Sequence, residues 1–288
     1  MGAPVTNEPT RPEWLKVKLQ DWETFRETEE VVETHGLNTV CHSAACPNIG
    51  ECWGRGTATL MLLGNVCTRR CGFCAVLSGV PRAFDPHEPE RVAKAVESMR
   101  LKFAVLTSVA RDDLPDGGAW VFAESIRAIR RRCPGVGVEV LIPDFQGKHD
   151  QIDIVLDAKP DVLNHNLETV ARLQKAVRPS ATYDRSLAVL RRAADAGLVA
   201  KSGLMLGLGE TNSEVREALR DLYAHGVARI TLGQYLRPDD NHLPVERYVP
   251  PAEFDELGEF ARSLGFAHVE SGPLVRSSYH AERAEAPV

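Results

Sequence analysis

The sequence has no apolar run near the roughly eighteen residues that a membrane span requires, which excludes a transmembrane helix as its organising element. It also lacks an excess of positive charge. A formal net charge of -6 argues against a surface that tracks phosphates, and no nucleic-acid partner is expected. The local cluster Arg127, Arg130, Arg131 and Arg132 reads as the solvated end of a helix. Met1 to Thr6 offers neither a basic region ahead of an apolar stretch nor an Arg/Ser-rich amphipathic pattern, so cytoplasmic residence is the expectation. The same residues fit a loose myristoylation pattern, but no second membrane signal joins it. With 43% hydrophobic and 26% charged residues in 288, the composition is that of a globular protein able to bury a large core.

Cysteine is neither absent nor evenly spread. Six of the seven, Cys41, Cys46, Cys52, Cys67, Cys71 and Cys74, crowd together, and Cys133 stands alone as an incidental thiol. A disulfide framework suits small secreted domains without a core, which this chain is not. Thiolate metal binding is the better account. The six form two triplets, Cys41-x4-Cys46-x5-Cys52 and Cys67-x3-Cys71-x2-Cys74. A closed zinc site takes four ligands, whereas three thiolates on a cubane iron-sulfur cluster leave one iron open to a small molecule. A zinc-carrying scaffold stays open as the non-enzymatic alternative.

Behind the triplets the pattern is strand then helix, repeated. Ala58 to Leu63, Phe103 to Val109, Val136 to Ile142, Asp161 to Leu163, Leu198 to Leu206 and Ala228 to Leu232 read as buried strands. The intervening helices are expected at Glu88 to Met99, Trp120 to Arg131, His149 to Leu156, Leu167 to Val177, Thr182 to Ala196 and Ser213 to His225. Six such units imply an α/β fold, a partial (β/α)6 TIM-like barrel following an extended amino-terminal arm. The expected division is an amino-terminal extension at 1–55, a barrel core at 56–265 and a carboxyl-terminal extension at 266–288.

Chemistry in a parallel sheet gathers at the carboxyl ends of strands. Strand one is followed there by the second triplet, strand two by Arg111 to Gly118, strand three by Pro143-Asp144-Phe145 and strand four by Asn164 to Thr169. Gly207-Leu208-Gly209-Glu210 and Gln234 to Pro238 follow the last two. Asn166 and Glu168, at alternate positions, suit a ribose or amino group, while His165 would point away as a structural histidine. Asp112, Asp113 and Asp116 read equally as helix caps or ligands. Gly207 and Gly209 read either as a tight turn or as room for a close ligand.

The second triplet, with Phe73 at the aromatic position of C-x3-C-x-aromatic-C, resembles the radical S-adenosylmethionine (SAM) superfamily. Cys46-Pro47-Asn48-Ile49-Gly50-Glu51-Cys52-Trp53, Gly56-Thr57-Ala58-Thr59, His165 to Glu168, Lys201 to Glu210, Gly233 to Pro238 and Arg276-Ser277-Ser278-Tyr279 are similar to the lipoyl synthase family over nearly the whole chain. The resemblance implies two 4Fe-4S clusters, with SAM chelated by the cluster on Cys67, Cys71 and Cys74. It makes Cys41, Cys46, Cys52 and Ser277 the ligands of an auxiliary cluster, and puts Phe73, Asn166, Glu168, Arg178, Gly207, Gly209 and Glu210 around SAM. A serine oxygen is a harder ligand than a thiolate and easier to displace, which fits a cluster that surrenders sulfur. The implied reaction is insertion of two sulfur atoms at C6 and C8 of an octanoyl chain carried on a lysine of a lipoyl domain.

The implied partners are 2-oxoacid dehydrogenase acyltransferase subunits, glycine cleavage H protein, an electron donor such as ferredoxin or flavodoxin, and iron-sulfur assembly or carrier proteins. Arg11, Lys16 and Lys18 read as a solvated arm rather than a docking site for an acidic carrier. Two departures from the family, Ala110 and His42-Ser43, remove no expected ligand. A methylthiotransferase is the rival within the superfamily.

Overall fold

The computed structural model describes residues 9–16, 22–43, 46–54, 58–82, 84–279 and 281; the motif residues Gly56 and Thr57, Lys18 and the Met1 to Thr6 segment lie outside them. In chain order the elements are α1 (Trp22–Thr34), β1 (Asn38–Thr39), α2 (Val40–Ser43), α3 (Ile49–Trp53), β2 (Thr59–Leu62), β3 (Val66–Cys67), β4 (Leu77–Ser78) and α4 (Glu88–Ser98). They continue with β5 (Phe103–Ser108), α5 (Ala119–Arg132), β6 (Gly137–Leu141), α6 (His149–Asp157), β7 (Val162–Asn164), α7 (Gln174–Val177) and α8 (Tyr183–Asp195). The last are β8 (Val199–Leu206), α9 (Asn212–Ala224), β9 (Arg229–Gln234), α10 (Pro251–Leu264) and β10 (His268–Ser271).

One sheet runs β1-β2-β5-β6-β7-β8-β9-β10, and every pairing from β2 to β10 is parallel. Only β1 is antiparallel to its neighbour. All six residues of β9 and all four of β2 are buried, as both-faced cover by helices requires. The apolar stripes of α4, α5, α8 and α9 close the outer layer through Val92, Val96, Phe122, Ile126, Leu187, Leu190, Leu219 and Leu222. Thr211 and Glu214 start α9 with a reciprocal capping box, which satisfies two amides that would otherwise be orphaned.

The six expected units are present, and the structure adds to them. A seventh helix, α10, leads into β10, which lies parallel to β9. The β10 sequence His-Val-Glu-Ser is half-buried throughout and so carries no apolar run to announce a strand. The amino-terminal arm is not simply extended, since α1 is helical and Phe25 packs on Trp53 of α3 at 5.1 Å between ring centres. The helix expected over Leu167 to Val177 begins late, as a 3-10 turn at Ala171–Leu173 before α7. Glu168 has φ +68° and bridges to Leu204 in parallel fashion, and that backbone conformation cannot continue a helix. The sheet also runs through both expected segment boundaries, taking β1 from one extension and β10 from the other.

Inside the sheet, Lys201 of β8 donates to both carboxylate oxygens of Glu139 of β6 at 2.9 Å, and Asn164 of β7 donates to the same carboxylate. Both charged side chains are almost fully enclosed. Removing one partner leaves a buried charge, so Lys201→Met is expected to destabilise the fold by about 3 kcal/mol. The double variant Glu139→Leu/Lys201→Met should recover most of that loss in chemical denaturation.

Candidate functional site

The second triplet lies on a short excursion after β2 that is tied to four other strand-end loops. Cys67 Sγ accepts the amides of Arg69 and Ala110, at 3.4 and 3.3 Å. Ala110 serves through its main chain alone, since its carbonyl also accepts from Thr68, which is why an alanine suffices there. The Gly72 amide donates to Val177, and its carbonyl accepts from Leu243. His242 Nε2 lies 3.0 Å from the carbonyl of Cys74. Phe73 packs among Val177, Leu208, Tyr235 and Val245.

Charge fixes the same loop from below. The Arg69 guanidinium donates two bonds to Asp112 and one, at 2.6 Å, to the fully enclosed Asp144, which Arg185 also reaches. Although burial opposes ionisation, the Arg69 guanidinium, with the Gln146 amide, holds the Asp144 carboxyl below its ordinary range. Asp112 and Asp113 are therefore ion-pair partners, of Arg69 and Arg111, and Asp116 caps α5 through the amides of Gly118 and Trp120.

Facing the triplet is the end of β7. His165 is wholly buried, with its ring nitrogens at the carbonyl of Ile142 and the hydroxyl of Ser186, and burial pushes its pKa down to about 4. It is a structural histidine. Glu168 retains some surface on the cleft, yet desolvation raises its pKa above the carboxylate norm, opposed by Arg178 and by a hydrogen bond from Asn166. Arg178 donates to the carbonyls of Asn166 and Leu167 and to Ser186. Asn166 Oδ1 and Gln174 Oε1 are buried without a partner among the described residues. An orphaned acceptor beside a carboxylate is suited to a ligand that brings N–H or O–H donors.

Gly207, Gly209 and Glu210 build the turn after β8, as one of the two readings of the glycines expected. Gly207 has φ +102°, and a Cβ there would lie 2.2 Å from Gln234 Nε2 and 2.5 Å from the Arg247 carbonyl. Protein atoms occupy the space a side chain there would need. Gly209 has φ +101° and needs glycine for its backbone. Glu210 spends its two oxygens on the amides of Gly207 and Leu208, at 2.6 and 2.9 Å, and so builds the turn.

The first triplet surrounds a small cavity lined by Cys41, Cys46, Asn48, Cys52, Thr59, Arg276, Ser278 and Tyr279. Two termini make this wall. Asn48 donates to the Leu274 carbonyl at 2.6 Å, Thr59 to Ser278 Oγ at 2.8 Å, and Tyr279 to the Glu51 carboxylate at 3.0 Å. The serine on the wall is Ser278, whereas Ser277, expected from the sequence, is not part of it. A turn in which the Tyr279 amide bonds to the Arg276 carbonyl sets which of the two adjacent serines faces inward. Half-buried Arg276 lies near Cys46 and offsets the charge a thiolate there would carry.

Both triplets suit iron-sulfur clusters by the chemistry of their donors. Burial raises the thiols of Cys46 and Cys74 and pushes Cys71 up to about 12. Without a cation these are neutral thiols, and a metal that displaces the protons would restore thiolate ligation. Among the described residues no three Cys, His, Asp or Glu side chains converge on a single ion position. A cubane takes each thiolate on a different iron. On the wall of the first cavity, Asn48 Oδ1 is a further buried acceptor without a partner among the described residues.

A parallel α/β sheet with a three-cysteine loop after its first buried strand defines a radical SAM enzyme, and the Radical SAM superfamily model matches residues 61–222. The fold is similar to HydG, a maturase of FeFe-hydrogenase (TM-score 0.56, 16% identity, 92% of this chain and 72% of that one). It is also similar to Streptococcus suis SuiB bound to S-adenosylmethionine (TM-score 0.57, 12% identity, 78% and 49%). The curated lipoyl synthase of Rubrobacter xylanophilus is 59% identical, covering 94% of this chain and 85% of its relative. Those of Symbiobacterium thermophilum and Methylococcus capsulatus are 58% and 54% identical, over 96% and 99% of this chain and 87% and 88% of theirs. The chain belongs to the lipoyl synthase family of radical SAM sulfurtransferases, which use SAM and two 4Fe-4S clusters.

The sequence alone did not mark His242 or Leu243, and it took Gly233 only as the first residue of the Gly233 to Pro238 block. A Cβ on Gly233 would lie 2.1 Å from the Val275 carbonyl, so the carboxyl-terminal segment can seat on β9 only over a glycine. Gly233→Ala is expected to displace that segment and lose about half of the iron in a reconstituted protein, while the SAM-cleaving cluster persists. Iron and sulfide assays beside deoxyadenosine formation would check it.

Proposed function

We propose that this chain inserts two sulfur atoms, at C6 and C8, into an octanoyl group on the lysine of a lipoyl carrier domain, and that its two cysteine triplets divide the work. Cys67, Cys71 and Cys74 would hold the cluster that binds SAM, and Cys41, Cys46 and Cys52 the auxiliary cluster. The observation that carries the division is the pairing of the second triplet with a strand-end cleft and of the first with a separate cavity closed by the carboxyl-terminal segment. When bound, SAM and the clusters supply the radical that removes hydrogen and the sulfur that replaces it, a step no acid-base pair of side chains could perform on an unactivated C–H bond.

What the protein's own groups contribute is placement and exclusion of water. Asn166 and Glu168 offer acceptors to the donors of SAM, and Arg178 steadies both the Glu168 carboxylate and the Cys71 thiolate. Phe73 and its apolar neighbours dry the loop. Segments 1–55 and 266–288 act as one cluster-holding unit, joined by the Asn48–Leu274 and Glu51–Tyr279 bonds and tied to the 56–265 core by Thr59–Ser278. Within the same reading, residence is cytoplasmic, a ferredoxin or flavodoxin supplies electrons, and iron-sulfur carriers rebuild the auxiliary cluster. No helix of the described residues is long and apolar enough to cross a membrane.

Ser278 is the fourth ligand of the auxiliary cluster in this proposal, in place of Ser277. Ser278→Ala should lower sulfur insertion at least about tenfold, the scale on which lost metal support acts, and leave deoxyadenosine formation intact. Ser277→Ala should retain both, and the reverse pattern would return the role to Ser277. The reaction itself is tested with SAM, reductant and an octanoyl-lysyl peptide, following product mass and deoxyadenosine. Sulfur-bearing product is expected, and deoxyadenosine without added sulfur would refute the octanoyl assignment.

A further inference from the structure

The exposed segment that follows the second triplet carries features that the proposed chemistry has not used. β4 pairs with β3 alone, and the register sets Ser78 against Cys67. The Gly79 amide donates to the Cys67 carbonyl at 2.9 Å, and Ser78 Oγ donates to the Arg69 carbonyl. β4 therefore lies about one strand spacing, 4.8 Å, from the backbone of a cysteine assigned to the SAM cluster. Its other edge has no strand beside it among the described residues. Leu77 is 66% exposed and Val80 is 95% exposed, with exposed Phe84 stacked edge-on to Trp120 just beyond.

An unpaired edge bearing exposed aliphatic residues is usually blunted or covered in a native protein. The charges beside this one are of one available sign. Arg70 and Arg82 are exposed and make no ion pair among the described residues, whereas the neighbouring Asp85 is taken by Arg91 and Asp113 by Arg111. In a chain of net charge -6, two unspent cations flanking an apolar strand select an acidic partner.

We propose that this face, Leu77 and Val80 flanked by Arg70 and Arg82, docks an acidic protein that carries a one-electron redox centre. The inference rests on the radical SAM reading above and gives it an entry point for electrons. Each reductive cleavage of SAM takes one electron, passed from the reduced centre of the partner to the cluster, and the partner leaves oxidised by one electron. Contact on β4 places that centre against the strand bonded to Cys67. The octanoylated carrier has a different demand, because its acyl arm must reach the cleft at Asn166, Glu168 and Arg178, whereas the hydrogen bonds of β4 run to Cys67 and Arg69.

The test uses the holoprotein with both clusters and Val80→Asp/Arg82→Glu, two exposed positions outside the cysteine loop where substitution should leave the fold intact. Deoxyadenosine formation is measured with reduced flavodoxin and, separately, with dithionite. The variant should lose at least about fivefold of the flavodoxin-driven rate and much of its salt dependence, while the dithionite-driven rate stays within about twofold. Val80→Ile/Arg82→Lys should behave as the parent. An unchanged flavodoxin-driven rate would overturn the proposal. So would a raised KM for the octanoylated carrier under dithionite with donor kinetics intact, which would make the face a carrier site. If the parent forms no deoxyadenosine under dithionite, the radical reading fails and takes the docking face with it.

Discussion

Parallel pairing from β2 through β10 imposes one direction on the whole site. Because each strand enters the sheet at the same end, every excursion at a carboxyl end emerges beside the others, whatever its sequence. The second triplet thus meets Ala110 of the loop after β5, Asp144 of the loop after β6, Val177 of the segment after β7 and Leu243 of the loop after β9. Few of these contacts join residues near in sequence. They hold because a main-chain donor or acceptor at a strand end finds its partner on the neighbouring excursion, and leaving it unpaired in a buried place would cost more than the bond itself contributes.

Buried charge is spent in two ways in this fold. The Lys201–Glu139 pair sits within the sheet and the Arg69–Asp112–Asp144–Arg185 set lies under the cluster loop, each with its hydrogen-bonding capacity largely met by protein. Such sets give uniqueness of arrangement more than net stability. Glu168 and Asn166 differ: the carboxyl is desolvated and the amide oxygen is orphaned, so the protein leaves them unfinished. Polar groups held ready but unsatisfied are the mark of a place prepared for something else.

Much of this was legible in the sequence because it is encoded locally. Six buried strands read as apolar runs, the helices between them as periodic stripes, and the triplets as spacings no disulfide scaffold would need. What escaped had no local signal. β10 is half-buried and polar, the reason for a glycine at 233 shows only when Val275 lies against it, and α1 became visible only where Phe25 found Trp53. The glycines after β8 were read for a turn or for a ligand, and the sequence did not show that Gln234 and Arg247 fill the side-chain space at Gly207. That Glu210 accepts the amides of Gly207 and Leu208 was likewise not legible in the sequence.

The sequence by itself determined the strand-helix alternation, the three-cysteine loop after the first buried strand and the family to which these belong, since each is carried by residues near one another in the chain. The tertiary structure alone decided which serine stands with the first triplet, which acids are free and which are taken, and where the cluster loop meets solvent. Adjacent serines are chemically identical in sequence. The turn at Arg276 to Tyr279, seated over Gly233, is what sends Ser278 inward.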